Sequence, residues 1–421
     1  MFLKNFVPAP VQTRTLNKLL LLLLFLIAGN GASGQFNYFS LPERKNKVTI
    51  PFSNYDNLVV IELIINDSIP VRLLLDSGVE GVIITNTGIT SLLESQCIRT
   101  FMLSAPGSPD MLEACVTRPF KLKTGRLEPM FTNLILLSED YFSLDQYIGS
   151  RVHGLIGMEK FRDLVVTTNY DRNTIKFTRP ADYSPPARSV IIPLQISRGK
   201  PYMTARVEFD NGRIMDLWLM IDSGANHPLL LEYDSLDGYK PEKYLDAIIG
   251  KGLAGNIHGS FARIGWLMLG NYRLDNVISS FSDSYMPWNL NSRLHRNGTL
   301  GAGSLGRFKV TFDYSNQRMI LQKGLKFKQP FEYNMSGITF RALGTGFSIF
   351  EVSEIIKGSP GDKAGIRVGD LLLYINGKPV FGLTLGELNH ILSTREGNTV
   401  NMVFSRDGKE IKTIIKLRRL I

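Results

Sequence analysis

The hydrophobic positions of this chain fall mostly in short runs that are broken by glycine, asparagine, aspartate and proline. Short runs bounded by turn residues predict strands, whereas the 3.6-residue spacing of amphipathic helices is sparse. The pattern therefore predicts an all-β fold. The predicted strands are Val59–Ile65, Val71–Leu75, Gly81–Thr85, Leu134–Leu137, Leu164–Thr168, Thr174–Phe177, Lys200–Phe209, Met215–Ile221, Leu229–Leu231, Ala262–Leu269, Val310–Phe312 and Met319–Leu321.

An internal repeat flanks a proline-rich break at residues 179–188. In each half an apolar strand ends in Asp-Ser-Gly, at Asp76–Gly78 and at Asp222–Gly224, and another apolar run follows. Each half later contains Gly-x-x-Gly, and its last glycine is Gly157 in the first half and Gly301 in the second. The order and the similar spacing, 81 and 79 positions from aspartate to this glycine, predict two homologous β lobes.

The repeated Asp-Ser-Gly turn has the residue types of a two-carboxylate site. The aspartate ends a core strand, the serine hydroxyl can stiffen the turn, and the glycine permits an unusual backbone or a close approach. If a local two-fold axis relates the lobes, the two aspartates face each other and share one proton. The ionised carboxylate is then a general base for water, and the protonated one can donate to a carbonyl oxygen. The residues concerned are Asp76, Ser77, Gly78, Asp222, Ser223 and Gly224.

The segments Leu73–Gly78 and Leu219–Ala225, together with the two Gly-x-x-Gly stretches, resemble retropepsin-type aspartic proteases. The resemblance covers about residues 45–325 as a tandem, single-chain version. It implies a pepsin-like bilobal body in which Asp76 and Asp222 are the catalytic dyad and the serines and glycines support the catalytic loops. Such a site hydrolyses peptide bonds with an activated water, and it needs no cofactor, no metal and no nucleophilic side chain.

The chain departs from that family at a few positions. Val79-Glu80 follows the first Asp-Ser-Gly where the family usually has a small residue, and Thr299 replaces the counterpart Leu155. No flap tyrosine is identifiable, and residues 104–108 and 250–259 are the flap-like candidates. These departures bear on activity more than on fold.

The composition changes near residue 329, and residues 329–421 resemble a PDZ domain. The resemblance depends on a helix-opening Ser359-Pro360, a Gly369-Asp370 turn before an apolar strand, and the Asn376-Gly377 hairpin turn. Thr384–Ser393 carries the apolar stripe of one helix.

PDZ domains add an extended peptide as a strand beside a helix and capture its terminal carboxylate with backbone amides. Two segments have the composition of the carboxylate-binding loop, residues 335–338 and residues 344–347. Only two residues separate the second segment from the next strand, so chain geometry favours Met335, Ser336, Gly337 and Ile338. The expected partner is a peptide C-terminus; the alternatives are an empty groove and a module that packs on the lobes as a structural element.

The N-terminus predicts export. Three basic residues and no acid precede or enter the apolar run Leu19–Ala28, and small residues lead to a cleavage point before Gln35. This is typical of a secretory signal peptide over residues 1–34, with an uncleaved anchor as the alternative. Export to the periplasm or the exterior makes a disulfide between Cys97 and Cys115 plausible, although two buried thiols also fit the sequence.

The formal net charge of +10 falls to +7 without the signal peptide. Because no basic stripe is interleaved with aromatic residues, the sequence predicts no nucleic-acid partner. The five histidines are scattered and form no His-Glu-x-x-His, so there is no metalloprotease signature. His227, five residues after Asp222, is a candidate cleft residue, although a surface or core role is the simpler interpretation.

The sequence thus predicts a signal peptide (1–34), protease lobe 1 (35–185), protease lobe 2 (186–328) and a PDZ domain (329–421). The predicted function is an exported aspartic endopeptidase that acts on peptide or protein substrates. Both aspartates lie on one chain, so the active form is expected to be a monomer. The alternative is a catalytically inactive envelope scaffold that acts through its PDZ domain.

Overall fold

The computed structural model describes residues 37–103, 111–252, 255–282 and 296–421, and it gives no side chains for residues 251, 252 and 255. The predicted signal peptide and the flap candidate at residues 104–108 lie outside the described residues. Within the described part, strands dominate, and the predicted all-β class is confirmed. No helix among these residues is long and apolar enough to cross a membrane.

The strands of the first half are β1 (Lys47–Pro51), β2 (Ser53–Tyr55), β3 (Leu58–Ile65), β4 (Ile69–Asp76), β5 (Val82–Ile84), β6 (Cys97–Leu103), β7 (Leu112–Thr117), β8 (Phe120–Lys123), β9 (Met130–Thr132), β10 (Ile135–Leu137), β11 (Gly154–Gly157), β12 (Val165–Asn169) and β13 (Thr174–Thr178). Those of the second half are β14 (Val190–Pro193), β15 (Gln195–Ser197), β16 (Lys200–Glu208), β17 (Ile214–Asp222), β18 (Leu229–Glu232), β19 (Tyr244–Gly252), β20 (Gly255–Leu269), β21 (Tyr272–Ser282), β22 (Gly298–Gly301), β23 (Phe308–Asp313) and β24 (Arg318–Lys323).

The C-terminal strands are β25 (Ile338–Leu343), β26 (Ile349–Ile355), β27 (Leu371–Ile375), β28 (Lys378–Pro379), β29 (Thr399–Arg406) and β30 (Lys409–Lys416). The α-helices of the described residues are α1 (Thr87–Leu93), α2 (Leu144–Ile148), α3 (Ala302–Leu305), α4 (Pro360–Lys363) and α5 (Leu385–Ser393). Short 3₁₀ turns are Glu94–Gln96, Met158–Phe161, Pro180–Asp182, Tyr233–Ser235 and Val380–Gly382.

The strands form four sheets. We call the sheet β6-β7-β10-β5-β11-β4-β3-β8-β9, with β2 on β3, lobe 1, and the sheet β15-β16-β17-β22-β18-β21-β20-β19 lobe 2. A third sheet, β1-β13-β12-β23-β24-β14, takes strands from both halves and places β12 beside β23. The PDZ sheet is β25-β26-β27-β29-β30, with β28 on β27.

The same strand arrangement occurs in both lobes around Asp-Ser-Gly. In lobe 1, β11 pairs parallel with β4 and antiparallel with β5; in lobe 2, β22 pairs parallel with β17 and antiparallel with β18. The register sets Asp76 opposite Gly157 and Asp222 opposite Gly301. A Cβ at Gly154 would collide with the Ile83 carbonyl, so close backbone approach requires the first glycine of the repeated Gly-x-x-Gly.

Buried apolar side chains form three clusters. The largest spans both lobes and the shared sheet, and the PDZ domain has a core of its own. A third cluster, which we call the lobe 1 cleft cluster, joins Leu74 and Leu155 to Leu144 and Ile148 of α2. Its partly buried edge includes Val79, which directly follows the first Asp-Ser-Gly. Helix α2 therefore packs close to the strand that carries Asp76.

A disulfide joins Cys97 and Cys115, whose Cα atoms are 5.9 Å apart. It connects β6 to β7 near the base of the hairpin that leads to residues 104–108. The β6 arm of this hairpin is largely exposed, so the disulfide fixes a segment that buries little apolar surface.

We expect Cys97→Ser/Cys115→Ser to lower the free energy of unfolding by about 3 kcal/mol. The disulfide spans a sequence separation of 18 residues, and by closing this loop it lowers the entropy of the unfolded chain. Urea unfolding of the double variant beside the oxidised and reduced wild type measures this effect. Equal stability of all three proteins would contradict it.

Candidate active site

The structure brings the two predicted aspartates together. Asp76 ends β4 with 6 % of its surface exposed, and its carboxyl adjoins that of Asp222 at the end of β17. Each carboxylate also accepts an amide two residues later: Gly78 N lies 2.6 Å from Asp76 Oδ1, and Gly224 N lies 3.1 Å from Asp222 Oδ1. The two turns are thus built alike and meet at their carboxyl groups.

The serines of the two turns hold the lobes together through a reciprocal set of hydrogen bonds. The Ser77 hydroxyl donates to the Ile221 carbonyl (2.8 Å) and accepts from Ser223 N (2.9 Å). The Ser223 hydroxyl donates to the Leu75 carbonyl (3.0 Å) and accepts from Ser77 N (3.0 Å). Both serines are buried, so these four bonds fix the distance between the aspartate-bearing strands.

Removing either serine hydroxyl leaves one buried donor and one buried acceptor without a partner. We expect Ser77→Ala and Ser223→Ala each to lower the free energy of unfolding by about 2–4 kcal/mol. The losses should not add in the double variant, because both hydroxyls serve the same contact between strands. A double-mutant cycle by urea unfolding measures the coupling, and strictly additive losses would argue against a shared contact.

The two glycines of the turns lie against the opposite carboxylate. A Cβ on Gly78 would stand 3.0 Å from Asp222 Cγ, and a Cβ on Gly224 would collide with the Asp76 carboxyl group. No positive φ is needed at either position, so the requirement for glycine comes from space alone. The closeness of the two acids therefore determines which residue can follow each serine.

The electrostatics of the pair favour a shared proton. Burial raises the pKa of Asp76 well above its usual range, and the charge of Asp222 beside it raises that pKa further. The amide of Gly78 and the more distant charge of Lys200 oppose the rise. A carboxyl that keeps its proton beside a second carboxyl is the arrangement needed for acid–base work on water.

In lobe 1 a buried carboxyl that the sequence did not reveal supports the Asp-Ser-Gly turn. Glu159, two residues after Gly157, accepts the Gly81 amide at 2.7 Å, and its other oxygen has no hydrogen-bond partner among the described residues. Burial raises the pKa of Glu159, while the Gly81 amide opposes the rise. The equivalent position in lobe 2 is Gly303. The replacement of a carboxyl residue by glycine between the lobes is therefore the only sequence signal that could have pointed to Glu159.

In lobe 2, His227 lies against Gly301, the counterpart of Gly157. Its Nε2 lies 2.8 Å from Thr299 Oγ1, which accounts for the threonine that replaces Leu155 of lobe 1. Water exclusion lowers the pKa of His227 to about 4, although the charge of Asp222 favours the protonated ring. His227 is therefore neutral over most of the pH range and forms part of the wall beside Asp222.

Helix α2 reaches across to the second turn. The Tyr147 hydroxyl donates to Asn226 Oδ1 at 3.2 Å, and Asn226 follows Gly224 by two residues. Burial raises the pKa of Tyr147 to about 12, so this hydroxyl keeps its proton and remains a donor. The described residues of the second flap candidate, 250–252 and 255–259, belong to the paired strands β19 and β20 of lobe 2.

The predicted carboxylate-binding loop of the PDZ domain lies where a loop precedes β25 and faces the end of α5. Its four backbone N–H groups donate within the chain: Met335 N to the Leu392 carbonyl (2.9 Å), Ser336 N and Gly337 N to Asn334 Oδ1 (2.9 and 3.2 Å), and Ile338 N to Ser336 Oγ (3.1 Å). In this structure the Asn334 side chain is thus the acceptor for two of the four amides of the predicted loop.

Comparison with known proteins identifies the C-terminal module. Residues 351–406 match the family model of the PDZ domain. The chain is 40 % identical over 60 residues to a putative zinc metalloprotease of Mesorhizobium japonicum, covering 14 % of this chain and 16 % of the relative. It is 36 % identical over 70 residues to a probable periplasmic serine endoprotease (DegP-like) of Hahella chejuensis, covering 16 % of this chain and 14 % of the relative.

Among solved structures, the aspartic proteinase from Irpex lacteus aligns with a TM-score of 0.43 and 10 % identity, over 67 % of this chain and 99 % of that one. The chain spans about a sixth of the length of the two curated relatives described above. The similarity to these relatives is therefore local, and the chain carries a PDZ domain that is also matched by its family model.

Proposed function

We propose that this protein is an aspartic endopeptidase of tandem retropepsin-like build, in which Asp76 and Asp222 activate a water. The observation that carries the proposal is the paired geometry of the two Asp-Ser-Gly turns, with adjoining carboxyls and reciprocal serine bonds. The local matches to a putative zinc metalloprotease and a probable serine endoprotease agree with a peptidase but leave the catalytic type to the residues of this chain.

The dyad would work by passing one proton. The ionised carboxylate takes a proton from water as that water attacks the scissile carbonyl carbon, while the protonated carboxyl donates to the carbonyl oxygen. The tetrahedral intermediate then collapses as the amide nitrogen leaves with a proton from the dyad. The raised pKa of Asp76 favours retention of the required proton in the site. Because the two carboxyls adjoin and one proton serves both in this mechanism, neither is assigned a fixed role.

The Ser77 and Ser223 bonds would keep the carboxyls at contact distance without competing for the water, because both hydroxyls donate to backbone carbonyls. The amides of Gly78 and Gly224 would orient one oxygen of each carboxylate. An extended substrate would lie between the lobes. Export is inferred from the predicted signal peptide, and the similarity to a probable periplasmic serine endoprotease agrees with it.

The mechanism is tested by asking whether an acyl-enzyme forms. A water mechanism predicts no burst of the first product and no transfer of the acyl group to an added amine, whereas a nucleophilic serine predicts both. The measurement is rapid-quench hydrolysis of a peptide substrate with enzyme near the substrate concentration. A stoichiometric burst with a trapped covalent intermediate would overturn the aspartic assignment and leave peptidase activity standing.

A further inference from the structure

A short helix of lobe 1 is seated on the PDZ domain at the place where such domains take peptides. Helix α2 contacts β25, and Gly149, which caps α2 with φ +73°, lies between β25 and α5. A Cβ on Gly149 would be 2.7 Å from Leu385 Cβ on α5 and 3.6 Å from Ala342 Cβ on β25. Among the described strands β25 pairs only with β26, so this is the edge-and-helix groove that a PDZ domain offers to an added strand.

The neighbouring carboxylate loop is also occupied from within the chain. Asn334 Oδ1 accepts two of the loop amides and the Ser336 hydroxyl, while Asn334 Nδ2 donates to the Ile338 carbonyl at 2.6 Å. A peptide C-terminus would have to displace the Asn334 side chain in the loop and the α2 cap in the groove. Both halves of the usual ligand site are therefore filled in cis.

The PDZ domain also contacts strands β19 and β20 of lobe 2, which carry the second flap candidate. Glu354 on β26 accepts the Ile248 amide of β19 at 3.2 Å, and Tyr333 packs on Phe261 of β20 with ring centroids 4.6 Å apart. Arg263 of β20 donates to the Phe331 carbonyl at 3.0 Å. The domain thus contacts α2 of lobe 1 and the β19–β20 hairpin of lobe 2.

Of the two contacted elements, α2 adjoins both aspartate-bearing segments. Leu144 and Ile148 of α2 pack in the lobe 1 cleft cluster with Leu74, two residues before Asp76. Tyr147 on the same helix hydrogen-bonds to Asn226, close to Asp222. A helix of only five residues has little stability of its own, so its position depends on the surfaces that it packs against.

We propose that the ligand of this PDZ domain is α2 of its own chain, and that the domain is a clamp that positions the substrate cleft. The clamp joins α2 of lobe 1 to the β19–β20 hairpin of lobe 2, and it makes the domain a positioning element instead of a receptor for peptides in trans. The effect on cleavage rests on the proposed peptidase function, whereas the docking itself does not.

Two variants of the full chain loosen the clamp from opposite sides. Gly149→Ala inserts a methyl against Leu385, and Ala342→Val adds bulk on β25 at a strand position that suits a β-branched residue. Gly212→Ala is the matched control, because Gly212 has a similar φ of +79° but open space around it. Gly149→Ala and Gly212→Ala therefore carry similar backbone strain, and only Gly149→Ala collides with the PDZ domain.

Hydrogen exchange tests the docking without reference to activity. We expect amide exchange in α2 and β25 to accelerate about tenfold or more in Gly149→Ala and Ala342→Val, and to be unchanged in Gly212→Ala. Unchanged exchange of both segments in both variants would overturn the proposal. If Gly149→Ala loses protection throughout the chain, Ala342→Val decides the question.

Steady-state kinetics tests the consequence. We expect KM for a peptide substrate to rise about tenfold in the two clamp variants with little change in kcat, because the clamp shapes the cleft and not the dyad. Unchanged KM would overturn the positioning role. A wild type that cleaves no peptide, combined with the expected exchange result, would remove the peptidase proposal and keep the docking.

Binding in trans is the competing outcome. Fluorescence anisotropy with a pool of labelled octapeptides that end in Val, Leu, Ile or Phe tests it, with the same pool amidated at its C-terminus as the control. We expect no saturable binding of either pool to the wild type at concentrations up to about 100 μM. Saturable binding of the free-acid pool alone would identify a trans receptor and overturn the proposal.

Discussion

Asp76→Asn and Asp222→Asn are each expected to lower kcat/KM for peptide hydrolysis by about 10³-fold or more. An amide can neither take the proton from the water nor hold the single proton that the pair shares, so losing one acid disables the whole acid–base step. The loss should be similar for the two variants and no larger in the double variant, since the carboxyls act as one unit. Measurement requires a peptide substrate and variants purified away from host peptidases.

Asp76→Asn should still fold. The pH dependence of its stability checks that the loss of activity comes from the missing acid and not from unfolding. The folded-state pKa of Asp76 is raised, so the folded chain binds more protons than the unfolded chain between pH 4 or so and that raised pKa. Its stability therefore falls as pH rises through this window. Asp76→Asn removes the effect, and its free energy of unfolding should be at least that of the wild type at pH 7. A clear loss of stability at pH 7 would contradict the assigned direction.

Gly224→Ala is expected to be the most damaging change that leaves both acids in place. Its methyl group would occupy the position of the Asp76 carboxyl, whereas the methyl of Gly78→Ala would be 3.0 Å from Asp222 Cγ. We therefore expect Gly224→Ala to lower kcat by about 10²-fold or more, because small displacements of reacting groups have large effects. The kcat of Gly78→Ala should lie between those of Gly224→Ala and the wild type.

Gly382→Ala serves as the control for these glycine variants. Gly382 lies in the PDZ domain, has no positive φ, and would place its new Cβ in open space. Its kcat should equal that of the wild type. Equal activity of Gly224→Ala and Gly382→Ala would mean that the carboxyls are not as close as the structure places them.

The all-β class and the position of the dyad could be predicted because they depend on local pattern and duplication. Every predicted strand overlaps an observed one, since a strand that is buried in a lobe is an apolar run in the sequence. The exposed strand β6 was missed for the same reason, because its residues contribute little to the core. Asp76 and Asp222 could be identified because their surroundings repeat at nearly equal spacing.

The residues that differ between the lobes could not be predicted. Glu159 and His227 acquire their roles from a backbone amide and a threonine hydroxyl that lie near them only after folding. The seating of Gly149 against Leu385 joins positions more than two hundred residues apart, and no local pattern reports such a contact. The loop at residues 335–338 was located by chain geometry, but the hydrogen bonds of Asn334 within it are visible only in three dimensions.

The central claim is that Asp76 and Asp222 share one proton, and infrared difference spectroscopy across a pH titration tests it most directly. The spectrum of the wild type minus that of Asp76→Asn should contain the carbonyl band of a protonated carboxyl at pH 6, where ordinary aspartates are ionised. In Asp222→Asn minus the double variant the band should be lost at a lower pH than in the wild type, because Asp76 no longer has a charged acidic neighbour while burial still raises its pKa. A wild type with no such band at pH 6, in which both carboxyls are ionised, would contradict the account.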